Sequence, residues 1–365
     1  MSQDPKSLVF IGCGHTHSLV LLSLRQNLAD NVSVTVIEPS HKAVYSGMLP
    51  GFVAGHYQRE DLDILVENLT KPLRAQHVAQ RAVGLDPAAR RVLLEDGSSL
   101  EYDVASLDVG ITSDMPKLPG FKEFGVPAKP LAAFSKAWQS SLAAPEDAQI
   151  AVIGAGVAGA ELAMAMAFAL QDIGKQGIVH LIDRGRALNV LKDGPRRRVL
   201  SAISKLGIEL HENCEIKALS AEGVAIAGAP LLPANFIVGA AGATPHDFMT
   251  HTNLTTRDGF VDVNAYLRTS SDRVFATGDC AYFEPSPLPK AGVYAVRQAP
   301  TLAHNVLARL EGRAMKAYTP QSDYLKLISL GGRTAVGEKL GFVWSGPLAW
   351  WLKDRIDTRF MERFK

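Results

Sequence analysis

The chain of 365 residues is long for a single hydrophobic core, so we expect two or three domains. Hydrophobic residues make up 47% of it, and 38 Lys and Arg nearly balance 37 Asp and Glu. That balance creates no overall field for nucleic acid, so we expect no nucleic-acid partner. Three widely spaced cysteines and the absence of a signal-peptide pattern favour a reducing, cytoplasmic compartment.

Two stretches of the chain repeat one order of predicted elements, namely strand, helix and strand. The first stretch comprises residues 8–11, 16–28 and 32–37. The second comprises residues 149–153, 158–173 and 179–182. This alternation is typical of parallel sheets with crossover helices, so we expect an α/β fold built twice.

A glycine-rich turn connects the first predicted strand to its helix. Gly12 and Gly14 form the G-x-G start of a dinucleotide-binding fingerprint, in which backbone amides approach a pyrophosphate at the helix N-terminus. Glu38 ends the next strand, where a carboxylate accepts hydrogen bonds from a ribose. His17 replaces the third glycine. We interpret His15 and His17 as polar groups at the helix start, with His15 a candidate cofactor contact, and predict no metal site.

The second turn carries the complete fingerprint, with glycines at Gly154, Gly156 and Gly159. Asp183 ends the strand that follows and favours NADH, because a carboxylate there repels the 2′-phosphate of NADPH. Arg184 and Arg186 come directly after it, and either residue could instead bind that phosphate. The sequence therefore favours NADH as the nucleotide, with NADPH as the alternative.

Glu161 lies in the first turn of an otherwise apolar helix. It is either a carboxylate stabilised by the positive helix end or a group that faces a nicotinamide ring, and the two interpretations are compatible.

A third strand is predicted over residues 273–277, and Gly278-Asp279 follows it. An acid at this point can bind the ribityl chain of a flavin. A helix predicted over residues 292–310 begins with Gly292 and Val293, and its positive end could face the flavin pyrimidine ring. The alternative is an ordinary buried helix. Pro300 predicts a kink in this helix or two shorter helices.

The remaining segments show weaker patterns. Residues 91–94 and 100–102 predict a hairpin, the Pro-rich residues 115–130 predict a linker, and residues 318–365 predict a separate C-terminal element. In that element, apolar residues recur every fourth position among basic ones, at Leu348, Leu352, Ile356, Phe360 and Phe364. Such a helix either lies on the inner face of a membrane or docks on the enzyme or on a second subunit; we favour the docked form.

Taken in order, the three motifs resemble the FAD- and NAD(P)-dependent pyridine nucleotide-disulfide oxidoreductase superfamily. Asp108-Val109-Gly110 and Gly239-Ala240-Ala241-Gly242 stand where that superfamily crosses between its domains. The redox cysteine pair is missing, and Tyr45–Gly51 stands in its place, as in the type II NADH dehydrogenase-like branch. Three segments are similar to the flavoprotein domain sometimes fused to selenide, water dikinase. They are Tyr45–Gly51, G-x-G-H-x-H at Gly12–His17 and G-V-Y-A-V-R-Q at Gly292–Gln298.

The resemblance implies two Rossmann-like domains, the second inserted in the first. An FAD-binding domain would comprise residues 1–115 and 245–317, an NAD(P)H-binding domain residues 116–244, and a C-terminal element residues 318–365. The implied FAD contacts are Gly12, Gly14, Glu38 and Asp279. Further candidate cofactor contacts are His15, Gly110, Gly242, Gly278, Gly292 and Val293. The implied NADH contacts are Gly154, Gly156, Gly159 and Asp183, with Glu161 near the nicotinamide.

The implied reaction moves a hydride from NADH to FAD and then electrons to an acceptor, which is a quinone, a small soluble oxidant or a selenium or sulfur compound. Candidates on the acceptor side, which are equally explained as packing residues, are Tyr45, Met48, Leu49, Tyr294 and Gln298. We expect the three cysteines to be structural. The alternative function is an NAD(P)H-responsive module that senses redox state or binds a partner with little turnover.

Overall fold

The computed structural model describes residues 5–365. Its first parallel sheet contains five strands in the spatial order Val274–Ala276, Val104–Leu107, Lys6–Ile11, Val32–Ile37 and Gln76–Val78. The central strand ends at Ile11, level with Ile37 and Leu107 on its neighbours. The carboxyl ends of these strands therefore share one edge, which is where open α/β sheets bind their ligands.

A second parallel sheet repeats this arrangement. Its strands follow the spatial order Gly125–Pro127, Phe236–Gly239, Ala148–Ile153, Gly177–Ile182 and Glu209–His211. Along the chain these strands lie between the strand Val104–Leu107 and the strand Val274–Ala276 of the first sheet. The predicted α/β fold, with one dinucleotide-binding fold inserted in another, is confirmed.

Each central strand leads into a crossover helix, His15–Leu24 in the first sheet and Val157–Asp172 in the second. The first helix ends at Leu24 rather than at residue 28, because the residues beyond Leu24 form an exposed turn. The other α-helices are Leu49–Val53, Val66–Thr70, Phe121–Phe124, Leu131–Ala143, Asp193–Lys205, Gly292–Glu311 and Pro347–Met361. Short 3-10 turns lie at Ser46–Met48, Arg59–Leu62, Lys71–Leu73, Asp247–His251, Gly278–Cys280 and Glu362–Phe364.

Small sheets cover the two large ones. The predicted hairpin is confirmed, because Arg91–Leu94 and Ser99–Glu101 pair as antiparallel strands. Ala82–Asp86 pairs with the other side of Arg91–Leu94 and completes this sheet. The other small sheets are Ile216–Ser220 with Gly223–Ile226 and Leu232–Pro233, Thr256–Arg257 with Phe260–Val263 and Ala281–Phe283, and Lys42–Val44 with Asp63–Leu65. A C-terminal sheet comprises Lys326–Ser329, Ala335–Lys339 and Phe342–Gly346.

Two local predictions need correction. Residues 115–130 are more than a linker, because Gly125–Pro127 pairs with Phe236–Gly239 as the edge strand of the second sheet. The helix containing Pro300 runs unbroken from Gly292 to Glu311, so the alternative of two shorter helices is wrong, whereas the kink stays a prediction. Leu302 and Val306 are fully buried on it. Packing of this kind outweighs the roughly 3 kcal/mol that an interior proline costs a helix.

The C-terminal element packs against both large folds rather than standing apart. Ser329 N donates a hydrogen bond to Glu161 on the crossover helix of the second sheet (2.7 Å). Tyr45, which comes directly after the strand Lys42–Val44, donates to Asp357 on the C-terminal helix (2.9 Å). The junction of the three parts therefore gathers polar side chains from distant positions in the chain.

Candidate functional site

The first glycine loop turns sharply at the carboxyl end of the central strand. Gly12 has φ of +82°, a conformation that other residues rarely adopt. Gly14 begins the helix, and a Cβ on it would lie 2.5 Å from the Asp108 side chain. One glycine is therefore required by backbone conformation and the other by a close approach.

Asp108 supports this loop from behind. Its Oδ2 accepts hydrogen bonds from the backbone amides of Thr16 (2.8 Å) and His17 (3.0 Å). Burial raises the pKa of Asp108 to about 7, although these hydrogen bonds oppose the rise. The first turn of the helix is thus held by a carboxyl group of the protein itself.

His17 explains the missing third glycine. Its Nδ1 lies 2.7 Å from the Gly12 carbonyl oxygen, and its Nε2 lies 2.8 Å from the Ser106 hydroxyl. Burial lowers the pKa of His17 to about 4, so the ring is neutral at pH 7. The ring therefore bridges the loop, which it contacts through Nδ1, and the neighbouring strand, which it contacts through Nε2.

The second loop uses its three glycines differently. Gly154 has φ of +107°, and a Cβ on Gly159 would lie 1.8 Å from the Gly154 carbonyl oxygen. Gly156 begins the helix and faces open space, since no atom lies within 4 Å of where its Cβ would be. The helix N-terminus is consequently accessible to an anionic ligand.

The acids that end the second strand of each fold make equivalent contacts. Glu38 Oε2 accepts a hydrogen bond from Cys13 N in the first loop (3.1 Å). Asp183 Oδ2 accepts one from Ala155 N in the second loop (2.7 Å), and its Oδ1 accepts one from Gly185 N. Two carboxylates predicted from sequence position therefore lie against two glycine loops with the same geometry.

The segment Thr277-Gly278-Asp279 lies beside Asp108. Gly278 has φ of +67°, and a Cβ on it would lie 2.5 Å from Asp108 Oδ1. Its amide donates to Gln298 Oε1 (2.8 Å), so Gln298 holds this turn in place. Asp279 forms an ion pair with Lys129 (3.2 Å). Among residues 5–365, the buried Thr277 hydroxyl is one of a few side-chain groups without a hydrogen-bond partner.

The helix that starts at Gly292 begins close to the first loop. A Cβ on Gly292 would lie 3.2 Å from His15 Nδ1, and the His15 ring lies 5.2 Å from the Tyr45 ring. Val293 follows Gly292 in the first turn.

The chain crosses between the two folds twice, and the two crossing segments pair with each other. Thr112 and Thr244 form an antiparallel bridge there. Gly110 and Gly242, both of positive φ, come just before these threonines.

Tyr45 lies in a cluster with the C-terminal helix. Its hydroxyl donates to Asp357, and its ring stacks on Phe360 at 4.4 Å. Lys353 donates to the other oxygen of Asp357 (2.7 Å) and to the Gly47 carbonyl oxygen (2.9 Å). Burial raises the pKa of Asp357, and Lys353 opposes that rise. The cluster therefore brings together a carboxyl group, an ammonium group and a phenol where the C-terminal helix meets the two nucleotide-binding folds.

Glu161 belongs to the same region, and it lies beyond the first turn of its helix, because that helix begins at Val157. Burial raises the pKa of Glu161 to about 7, while the charge of Lys353 and the Ser329 amide oppose the rise. A carboxyl group with a pKa near 7 can hold or release a proton at neutral pH. Met48 and Leu49, by contrast, are buried as core residues.

Comparison with known proteins decides the family. Residues 6–306 match the sequence profile of the pyridine nucleotide-disulphide oxidoreductases. The chain belongs to this family. It is 26% identical over 360 residues to the NADH dehydrogenase-like protein YutJ of Bacillus subtilis, covering 92% of each chain. It is 27% identical over 279 residues to the demethylphylloquinone reductase NdbB of Synechocystis, covering 71% of this chain and 68% of that one.

The solved structures support the same fold. The sulfide:quinone oxidoreductase of Aquifex aeolicus superposes with a TM-score of 0.81 and 18% identity, over 98% of this chain and 91% of that one. This family membership makes the protein an NAD(P)H-dependent flavoprotein oxidoreductase of the NADH dehydrogenase-like kind. The link to selenide, water dikinase stays a prediction.

The residues present fit a flavin and a nicotinamide nucleotide. The open face at Gly156 leaves room for a pyrophosphate, and the unpartnered Thr277 hydroxyl lies in the segment expected to meet a flavin. The cysteines of this flavoprotein do not form a disulfide, and all three are free. Burial raises the pKa values of Cys13 and Cys280 to about 12, which keeps both thiols protonated and unreactive.

Sequence reasoning gave no site role to four residues of this flavoprotein: Asp108, Lys129, Lys353 and Asp357. Asp108 was noted only at a crossing between the domains. Lys353 and Asp357 lie within the C-terminal helix pattern, where they were given no separate role. Their spacing of one helical turn was the available signal, because an i,i+4 pair lies on one face. No comparable local pattern marks Lys129, whose partner is far away along the chain.

Proposed function

We propose that this flavoprotein oxidises NADH with FAD and passes the electron pair to a quinone. The observation that carries the proposal is the cluster of Tyr45, Lys353 and Asp357 beside Glu161, where the two nucleotide-binding folds meet the C-terminal helix. A quinone takes up protons together with electrons, and a buried cluster that contains two carboxyl groups of raised pKa, Glu161 and Asp357, suits such an acceptor. The relative named demethylphylloquinone reductase supports the same class of acceptor.

We assign FAD to residues 1–115 and 245–317, and the nicotinamide nucleotide to residues 116–244. The contacts of Glu38 and Asp183 with their glycine loops support one dinucleotide in each fold. The segment Thr277-Gly278-Asp279, which lies beside Asp108 under the first loop, supports the flavin in the first fold. NADH is favoured because Asp183 lies against the second glycine loop, where a carboxylate would repel the 2′-phosphate of NADPH. Arg184 and Arg186 are both exposed beside it, and they keep NADPH as the alternative.

When bound, NADH supplies the hydride and the flavin ring accepts it. The protein contributes position and charge. Glu161, when ionised, would stabilise the positive charge that develops on a nicotinamide ring bound beside it. Lys353 holds the Gly47 carbonyl and Asp357 in fixed geometry. The Tyr45 hydroxyl is hydrogen-bonded to Asp357, so a proton held by Asp357 could be relayed through it to the acceptor.

The C-terminal helix supports contact with a membrane that carries the quinone. Phe360 and Phe364 are buried, whereas Leu348 is 71%, Trp351 52% and Ile356 45% exposed. The helix is thus docked at its end and leaves an apolar face uncovered at its start. Within residues 5–365, no helix is long and apolar enough to cross a bilayer. We therefore propose a peripheral contact with the inner face of the membrane.

The test is an anaerobic titration of the purified protein with NADH, followed by a soluble quinone. We expect the flavin absorbance to bleach with one equivalent of NADH and to return on adding the quinone. Return only with a small inorganic oxidant would reject the quinone as acceptor. A reduced flavin that persists with every acceptor would instead indicate a redox-sensing or partner-binding module.

A further inference from the structure

Three side chains with metal-binding atoms meet outside the flavin site. His180 lies on the strand Gly177–Ile182, and Glu209 and His211 lie on the adjacent edge strand Glu209–His211. His180 is the register partner of Glu209, and His211 lies two residues further along the same face. Their placement is therefore a direct result of the parallel pairing.

The three donor atoms converge on one point. His180 Nδ1 lies 3.2 Å from His211 Nε2 and 3.2 Å from Glu209 Oε2, and His211 Nε2 lies 3.9 Å from Glu209 Oε2. A Zn²⁺ ion with bonds of about 2.0–2.1 Å holds tetrahedral ligands roughly 3.3 Å apart. The spacing therefore already resembles three corners of a zinc tetrahedron.

The surroundings suit a metal rather than a simple ion pair. His180 is 5% exposed, so its ring is packed inside the protein beside the other two side chains. Imidazole nitrogen and carboxylate oxygen are both common Zn²⁺ ligands. Glu209 is exposed and offers a route from solvent. Ile182, the register partner of His211, belongs to a small buried core with Ile153 and Phe121.

We propose that His180, Glu209 and His211 form a Zn²⁺ site of the two-histidine, one-carboxylate type, with water as the fourth ligand. The ion would join the edge strand to its neighbour. This matters because the end of the edge strand supports the nucleotide loop: Asp183 N donates to the His211 carbonyl oxygen (2.9 Å). The proposal does not depend on which acceptor the flavoprotein uses.

The test is a titration of the metal-free, flavin-loaded protein with Zn²⁺ against a chromogenic chelator. We expect one tight equivalent in the wild type, and at least ~100-fold weaker binding in Glu209→Gln and His211→Gln. Glu209 is exposed, so its variant should fold normally. The matched control is His251→Gln, because His251 also faces a carboxylate, at 3.8 Å on Asp247, but lacks a third ligand.

Co²⁺ provides a second readout. Four-coordinate Co²⁺ absorbs visible light to the red of the flavin, and we expect this band in the wild type and in His251→Gln but not in Glu209→Gln. The proposal is overturned if the wild type binds no tight equivalent. It is also overturned if the site variants retain wild-type affinity while folded.

Discussion

At the scale of single residues, Glu161 makes the sharpest prediction. Its pKa is raised from 4.5 to about 7, so its ionised form dominates only above neutral pH. Because an ionised carboxylate stabilises the positive nicotinamide, we expect the rate of flavin reduction by NADH to rise with pH through about 7 and then level off. Glu161→Gln should remove this rise and slow reduction by at least about tenfold. Stopped-flow reduction across pH 5.5–8.5 measures both effects.

A structural role alone would give a different result. If Glu161 only held the Ser329 amide, the glutamine variant would keep that hydrogen bond and the wild-type pH profile. The same shift also affects stability, since the folded protein binds more protons than the unfolded chain between the two pKa values. The contribution of Glu161 to the free energy of unfolding therefore falls as pH rises from 4.5 to about 7.

Asp183 determines the second prediction at this scale. Asp183→Asn removes the charge but keeps an oxygen that can accept the hydrogen bond from Ala155 N. Repulsion between a carboxylate and a 2′-phosphate costs about 1–4 kcal/mol at contact. We therefore expect the ratio of kcat/KM for NADPH to that for NADH to rise about tenfold or more. An unchanged ratio would mean that Arg184 and Arg186 control the choice of nucleotide.

At the scale of elements, the C-terminal helix depends on its polar contacts with the Tyr45 segment. Tyr45→Phe leaves one oxygen of the buried Asp357 without its donor, while Lys353 still serves the other. We expect a loss of about 1–2 kcal/mol in the free energy of unfolding, measured by denaturant titration.

Tyr57→Phe is the matched control for that loss. Tyr57 makes the same kind of contact, donating to Asp354 on the same helix (2.6 Å). Asp357 is 5% exposed, but Asp354 is only partly buried, so water can replace its lost donor. Equal losses in the two variants would contradict the importance that we give to the buried cluster.

At the scale of the whole molecule, one apolar face stays uncovered. We expect the protein to sediment with anionic lipid vesicles, and the variant Leu348→Glu with Trp351→Glu to bind them at least about tenfold more weakly. Ile173→Glu is the control, since Ile173 is also apolar and 57% exposed but lies at the C-cap of the helix Val157–Asp172. Equal vesicle binding by all three proteins would reject the membrane contact.

The sequence by itself determined the repeated strand, loop and helix units and the acids that follow them. These features depend on residues close together in the chain: the turn at Gly12 needs a positive φ, and alternating elements require crossover connections. For the same reason, the positions of Glu38 and Asp183 against their loops were predictable. The family resemblance followed from the order of such local motifs.

Only the tertiary structure decided which distant residues meet. Asp357 reaches Tyr45 because the C-terminal helix packs across both folds, and Gly125–Pro127 becomes a strand because an edge is free to pair with it. His180 and Glu209 share a register that no local pattern specifies. Local conformation depends on a residue and its near neighbours, whereas such contacts depend on how separately formed surfaces pack together.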